Sequence, residues 1–165
     1  MARVNPIPKG THTITPSLVF RDAAGAIEFY KKAFGAQEVR RMLSPDGRYI
    51  WHAELRIGDS LFYLNDEMPG STTHAPSPEH PATTSLALYV ENADALFQRA
   101  TGAGAKTAMP VQDMFWGDRM GVVTDPYGHS WMIMTHTRDL TEEEIRRGGE
   151  EFARRMQEQH RGTSA

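Results

Sequence analysis

The chain has 165 residues, 39% hydrophobic and 24% charged, with a net charge of −3 and no cysteine. That length suits one domain or two small modules sharing a core. The composition excludes a basic nucleic-acid-binding face, the missing cysteine excludes disulfides, thiolate catalysis and cysteine-based zinc sites, and no apolar run is long enough to cross a membrane.

Residues 1–12 are polar and read as a flexible lead-in. A first module is expected over 13–65. Ile14–Phe20 suits a strand, and Asp22 is placed to cap a helix, because its carboxylate can accept from free first-turn amides. Ile27, Tyr30 and Phe34 recur at helical spacing, and Gly35 ends the helix. Gln37–Leu43 and Tyr49–Arg56 read as strands joined by the turn Ser44-Pro45-Asp46-Gly47. Ile57-Gly58-Asp59 turns the chain into the strand Ser60–Asn65. Residues 66–83 hold four prolines and read as a linker.

The second module, 84–137, repeats the order. Ser85–Val90 is a strand and Asn92 caps a helix. Ala105–Gln112, Arg119–Thr124 and Ser130–Thr135 are strands, the last two joined by Asp125-Pro126-Tyr127-Gly128. Residues 138–165 form a C-terminal helix and tail. Thr141 and Glu144 make a capping box there, with Leu140 and Ile145 at the staple positions. The helix carries a thin apolar seam, Ile145, Phe152 and Met156, with Gly148-Gly149 in its middle. Such a helix packs on its own domain or makes a dimer contact.

Internal repetition supports this division. Residues 15–36 and 84–105 read as two copies of one unit. At an offset of 69, Asp22 falls on Glu91, Ala26 on Ala95, Ile27 on Leu96 and Gly35 on Gly104. A repeat spanning half the chain implies two matched halves with a site between them. The expected fold is α+β: two tandem βαβββ modules forming a cup-shaped mixed sheet with helices outside, plus the C-terminal helix.

Three segments carry a family resemblance: His52-Ala53-Glu54-Leu55-Arg56-Ile57-Gly58-Asp59, Trp116-Gly117-Asp118-Arg119 and Asp125-Pro126-Tyr127-Gly128-His129-Ser130-Trp131, with Thr135-His136 at a strand end. Together with the paired modules, they resemble the vicinal oxygen chelate superfamily of glyoxalases, bleomycin-resistance proteins and dioxygenases, and within it the PhnB-like branch. The resemblance implies a small-molecule site in the cup and, in the enzymes, a divalent metal held by four side chains from the first and last strand of each module. Here those positions fall on Thr15, Tyr63, Ser85 and Met132. Hydroxyls are weak ligands, a tyrosine would have to ionise, and a thioether suits soft metals. The expectation is therefore no metal and no cofactor. The resemblance also implies a homodimer, with each cup built within one chain or between two.

The candidate site follows from strand alternation. His52 and Glu54 share one face and form a candidate acid–base pair; the alternative is a structural histidine and a rim glutamate. Thr15, Ser17, Tyr63, Ser85, Tyr89 and Met132 are expected to line the cup, together with Ala87 and Met134. Trp116 stands at its mouth. Trp51 and Trp131 are expected to face the helices. Such a lining suits an aromatic or amphipathic ligand with a few hydrogen bonds. Three functions fit: a metal-free binder; a lyase, isomerase or transferase using a displaced metal or the His52/Glu54 pair; and an interaction domain with a filled cup. The expected partner is a small molecule, with neither nucleic acid nor membrane, in a cytoplasmic setting.

Overall fold

Each module opens with a strand that one short polar side chain turns into a helix. Asp22 accepts from the Gly25 amide at 2.9 Å, and Asn92 does the same for Ala95 at 2.9 Å. Gly35 and Gly104 close the helices at φ 69 and 119, a left-handed conformation that favours glycine. The computed structural model describes residues 4–162. The order is β1 (Ser17–Phe20), α1 (Ala23–Phe34), β2 (Gln37–Leu43), β3 (Ile50–Ile57), β4 (Ser60–Asp66), β5 (Ser85–Tyr89), α2 (Ala93–Ala103), β6 (Lys106–Asp113), β7 (Asp118–Thr124), β8 (Ser130–His136) and α3 (Glu142–Gly162). The structural equivalent of Asp22 is thus Asn92 rather than Glu91. The α1 helix has 12 residues and α2 has 11, so the two copies slip by one inside the helix.

The strands form two mixed sheets, ordered β1-β4-β3-β2 and β5-β8-β7-β6. In each, the first and last strands of the module pair in parallel and the other pairs are antiparallel. This is the expected pair of tandem βαβββ modules. Asp66 ends β4 and is buried, so it belongs to the first sheet and not to the linker. Its carboxylate accepts from the Ala23 amide at 2.7 Å and the Ile50 amide at 2.6 Å, tying the start of α1 to β3. Thr135 holds the same place in the second module, accepting from the Ala93 amide and donating to the Val90 carbonyl, both at 2.8 Å. The linker also adds to the body: Ala75 is buried, and Pro76 lies so close to Gly128 that a Cβ there would sit 2.8 Å away.

Both sheets turn their helix-bearing faces into one common core. Phe20, Ile27, Tyr30, Leu55 and Leu64 come from the first module, and Ala100, Val123, Trp131 and Ile133 from the second. The Phe62 and Trp131 rings lie 5.8 Å apart, and Phe34 and Trp131 4.9 Å apart. Asp125 fastens this junction. It accepts from the Tyr30 hydroxyl at 2.5 Å, the Trp131 indole at 3.0 Å, and the Tyr127 and His129 amides at 2.9 Å each.

Trp131 is buried as expected, but Trp51 is 46% exposed. The cause is a bulge. Met42 pairs with His52 and Leu43 with Ile50, leaving Trp51 as the extra residue while Ile50 takes the core position. The capping box of α3 forms: the Thr141 amide donates to Glu144 at 2.8 Å, and the Glu144 amide donates to the Thr141 hydroxyl at 3.3 Å.

Replacing Asp125 with alanine strands two buried donors, Tyr30 and Trp131. Asp125→Ala is expected to cost roughly 3–5 kcal/mol, read by chemical denaturation.

Candidate functional site

A single core shared by two helix-bearing faces sends the two helix-free faces away from each other. Both are open, and their chemistry differs.

The first module presents polar groups. Register places Tyr63 opposite both Ser17 and Glu54, and Met42 opposite His52. His52 Nε2 lies 3.2 Å from Glu54 Oε1, and the His52 ring meets the Tyr63 ring edge-on at 4.8 Å. Four expected site residues, Ser17, His52, Glu54 and Tyr63, therefore meet on one face. Arg40 lies across from Glu54 on the same face. Thr15 falls outside β1, and its hydroxyl donates to the His12 carbonyl at 3.2 Å.

The second module presents sulfur and carbon. Ala87 pairs with Met132 and Tyr89 with Met134, while Met120 and Val122 follow on β7. Met114, Met120 and Met134 are buried together, with Met109, Trp116, Val122 and Met132 packed against them. Ser85 donates its hydroxyl to Ser130 at 2.9 Å. Tyr89 is 64% exposed. The expected residues Ser85, Tyr89, Trp116 and Met132 thus belong to this module, and within one chain they do not meet the His52 group.

Asp118 organises the end of this second face. Its buried carboxylate accepts from Tyr89 Oη at 2.9 Å, Trp116 Nε1 at 3.0 Å and His136 Nδ1 at 2.8 Å. Burial pushes the carboxyl up, but the bonds from His136, Tyr89 and Trp116 outweigh it and hold the group below the usual range. Trp116 is therefore pinned through its indole nitrogen. His136 Nε2 lies 3.0 Å from Asp139. Two carboxylate acceptors around one ring favour its doubly protonated form. The Asp118 bond first, then the Asp139 bond, raise the His136 pKa above its ordinary value. Sequence reasoning missed this hub. Its parts stood in the Trp116-Gly117-Asp118-Arg119 and Thr135-His136 segments, and the register of Asp118 against His136 joins them.

The four metal positions do not fit a divalent ion. The Thr15 and Ser85 hydroxyls already bond nearby groups, and a neutral tyrosine and a thioether at Tyr63 and Met132 are poor ligands for such an ion. Among the described residues, no three His, Asp or Glu side chains are grouped to hold a metal. His129 is buried and reaches the Val19 carbonyl at 3.2 Å, a structural role; burial pushes its pKa down. The linker histidines are held as well: His74 meets Glu67 at 2.8 Å and stacks on His80. A cavity of about 850 Å³ lies beside α3 and touches the methionine patch at Met109 and Met114.

Paired βαβββ modules with opposed helix-free faces define a glyoxalase-like protein, and comparison agrees. Residues 11–133 match the Glyoxalase/Bleomycin resistance protein/Dioxygenase superfamily, and the chain belongs to that superfamily. An uncharacterised Mycobacterium bovis protein is 43% identical over 135 residues, 80% of this chain and 88% of that protein. The crystal structure of TioX from Micromonospora is similar at a TM-score of 0.61, with 27% identity over 76% of this chain and 98% of that one. A Bacillus cereus structure described as a putative 3-demethylubiquinone-9 3-methyltransferase, PhnB protein, shares the fold at a TM-score of 0.57. It is 20% identical, over 75% of this chain and 99% of that one. Among the described residues no helix is long and apolar enough to cross a membrane.

The raised His136 pKa fixes a sign. Its pairing stabilises the fold fully below the ordinary imidazole value, about 6.5, and the contribution fades as pH rises through the raised value. His136→Gln is therefore expected to lower the melting temperature most at pH 5.5–6, with the gap to the unaltered protein narrowing steadily towards alkaline pH.

Proposed function

We propose that this protein binds a small aromatic or amphipathic molecule without a resident metal. The site is a cup made by two copies, the first module of one closing over the second module of the other. The observation that carries this reading is the contrast between the two open faces. One offers Ser17, His52, Glu54 and Tyr63 for hydrogen bonds; the other offers a methionine bed with half-buried Met132, exposed Tyr89 linked to Trp116 through Asp118, and exposed Ser85 at the far end of the strand. Neither face is covered in a single chain: Met42 is 42% and Tyr89 64% exposed. A ligand with an apolar body and a polar edge satisfies both at once. Methionine adapts to varied shapes, and a pinned indole gives a rigid wall. Thr15 sits at the margin of this cup. A cysteine-free chain of this kind suits a cytoplasmic binder that sequesters its ligand.

The expected solution mass is twice 18.5 kDa. Aromatic ligands screened by tryptophan fluorescence should yield a binder that both Tyr63→Ala and Met132→Ala weaken by about 1–2 kcal/mol. A monomer at working concentration, or a hit that responds to only one face, would remove the shared cup.

The 3.2 Å contact between His52 and Glu54 favours a second reading, acid–base catalysis on the same face. His52→Ala should then lower kcat for an identified substrate by about 100-fold or more. Undiminished turnover would leave His52 a binding residue only.

A further inference from the structure

We infer that the cleft between α3 and the β6–β7 loop is a second binding site, selective for a small amphipathic anion and separate from the sheet cup. Its volume of about 850 Å³ lies within the range of small-molecule sites. Met109, Met114 and Phe115 form one wall, and Leu140, Phe152 and Met156 line the α3 side. The helix is held there by aromatic contact, with the Phe115 and Phe152 rings 5.7 Å apart. Gly148 makes the approach possible, since a Cβ there would lie 2.9 Å from that of Phe115. Gly148 therefore has a packing reason in the middle of this helix.

The guanidinium groups decide the ligand class. Arg138, Arg147 and Arg155 line the cleft, and none makes an ion pair among the described residues. Arg146, one position from Arg147, is by contrast paired with both Glu143 and Glu150. Three carboxylates, Asp113, Glu144 and Glu151, also line the cleft, and among the described residues none forms an ion pair with Arg138, Arg147 or Arg155. Asp113 meets Arg119 at 3.1 Å, and Glu144 takes its hydrogen bonds from Thr141, with Arg138 and Arg147 further off. Glu144 keeps its charge, because threonine is neutral, so what the cleft offers an anion is the unfilled N–H donors of three guanidinium groups rather than an excess of positive charge. A guanidinium recognises carboxylate, sulfonate or phosphate oxygens through paired N–H donors, and its strength rises beside an apolar wall. A ring or short chain on the methionine and phenylalanine wall, with one oxyanion towards the arginines, uses every feature of the cleft. The α3 wall lies beyond the matched family segment, 11–133.

Two fluorescent probes with nearly the same aromatic body test this on the full chain: anilinonaphthalene sulfonate, an anion, and phenylnaphthylamine, which is neutral. The anion is expected to bind at least about tenfold more tightly at low salt. The double variant Arg147→Gln, Arg155→Gln should abolish that advantage and leave the neutral probe unmoved. Phe152→Ala should weaken both, while Tyr63→Ala changes neither. Equal binding of the two probes, or an anion affinity indifferent to the arginine variant, would overturn the assignment. Loss on Tyr63→Ala alone would put the probe in the sheet cup, overturning this site while supporting that one. A fall from dimer to monomer in Phe152→Ala, with both probes indifferent to it, would make the cleft a contact between copies instead.

Discussion

The buried carboxylate of Asp125 is the constraint on which the arrangement of the modules depends. It takes a hydrogen bond from Tyr30 of the first module and another from Trp131 of the second, inside a core that admits almost no water. Either donor left unpaired there costs far more than it would at the surface. The carboxylate is held in turn by two amides of its own turn, at Tyr127 and His129. The Asp125-Pro126-Tyr127-Gly128 segment is thus both the β7–β8 connection and the clamp between modules. Because the clamp joins helix-bearing faces, the opposite faces must open outward. The half-site in each module is a consequence of where this one acid sits.

The two modules share a backbone plan but have divided the chemistry between them. At the end of the last strand, Asp66 and Thr135 cap equivalent helices, a carboxylate in one module and a hydroxyl in the other. Asp66 also holds Ile50 and so sets the start of β3. Beside it, Trp51 is forced outward while His52 and Glu54 keep the open face. The second module spends its acid elsewhere, with Asp118 gathering Tyr89, Trp116 and His136 at the rim. The four positions that match the family's metal ligands hold Thr15, Tyr63, Ser85 and Met132, a weak donor set for a divalent ion. Each face is organised instead by side chains binding one another.

Much of the fold was legible because its signals are local. Asp22, Asn92, Gly35, Gly104 and the Thr141–Glu144 box act within a few residues of where they stand, so their meaning survives in the sequence. Strand alternation also placed Ser17, His52, Glu54 and Tyr63 together. What alternation could not give was a change of phase. The bulge at Trp51 depends on which residue of β2 stands opposite, a fact of register between strands rather than of either strand alone. The same holds for Asp118 and His136, 18 residues apart in sequence and paired only by β7 against β8. Nor does any local signal say which faces of two modules will meet. The methionine patch left a trace, since five of the chain's nine methionines, Met109, Met114, Met120, Met132 and Met134, gather there.

The C-terminal helix shows how an addition can stay attached to such a scaffold with few contacts. Its surface is charged throughout, and its apolar seam touches the body chiefly where Gly148 admits Phe115. A helix of 21 residues is about 30 Å long, and Phe152 and Met156 continue its apolar side along the cleft that Met109 and Met114 line. His136 and Asp139 lie just before it, which ties the helix lead-in to Asp118 and through Asp118 to Tyr89 on the open face. A hydrogen-bonded chain thus runs from Asp139 through His136 and Asp118 to Tyr89 on the open face. The two carboxylates favour the charged form of the ring, which is why the His136 pKa is raised. The helix lead-in and the open face are joined in this way at the end of the strand that precedes the helix.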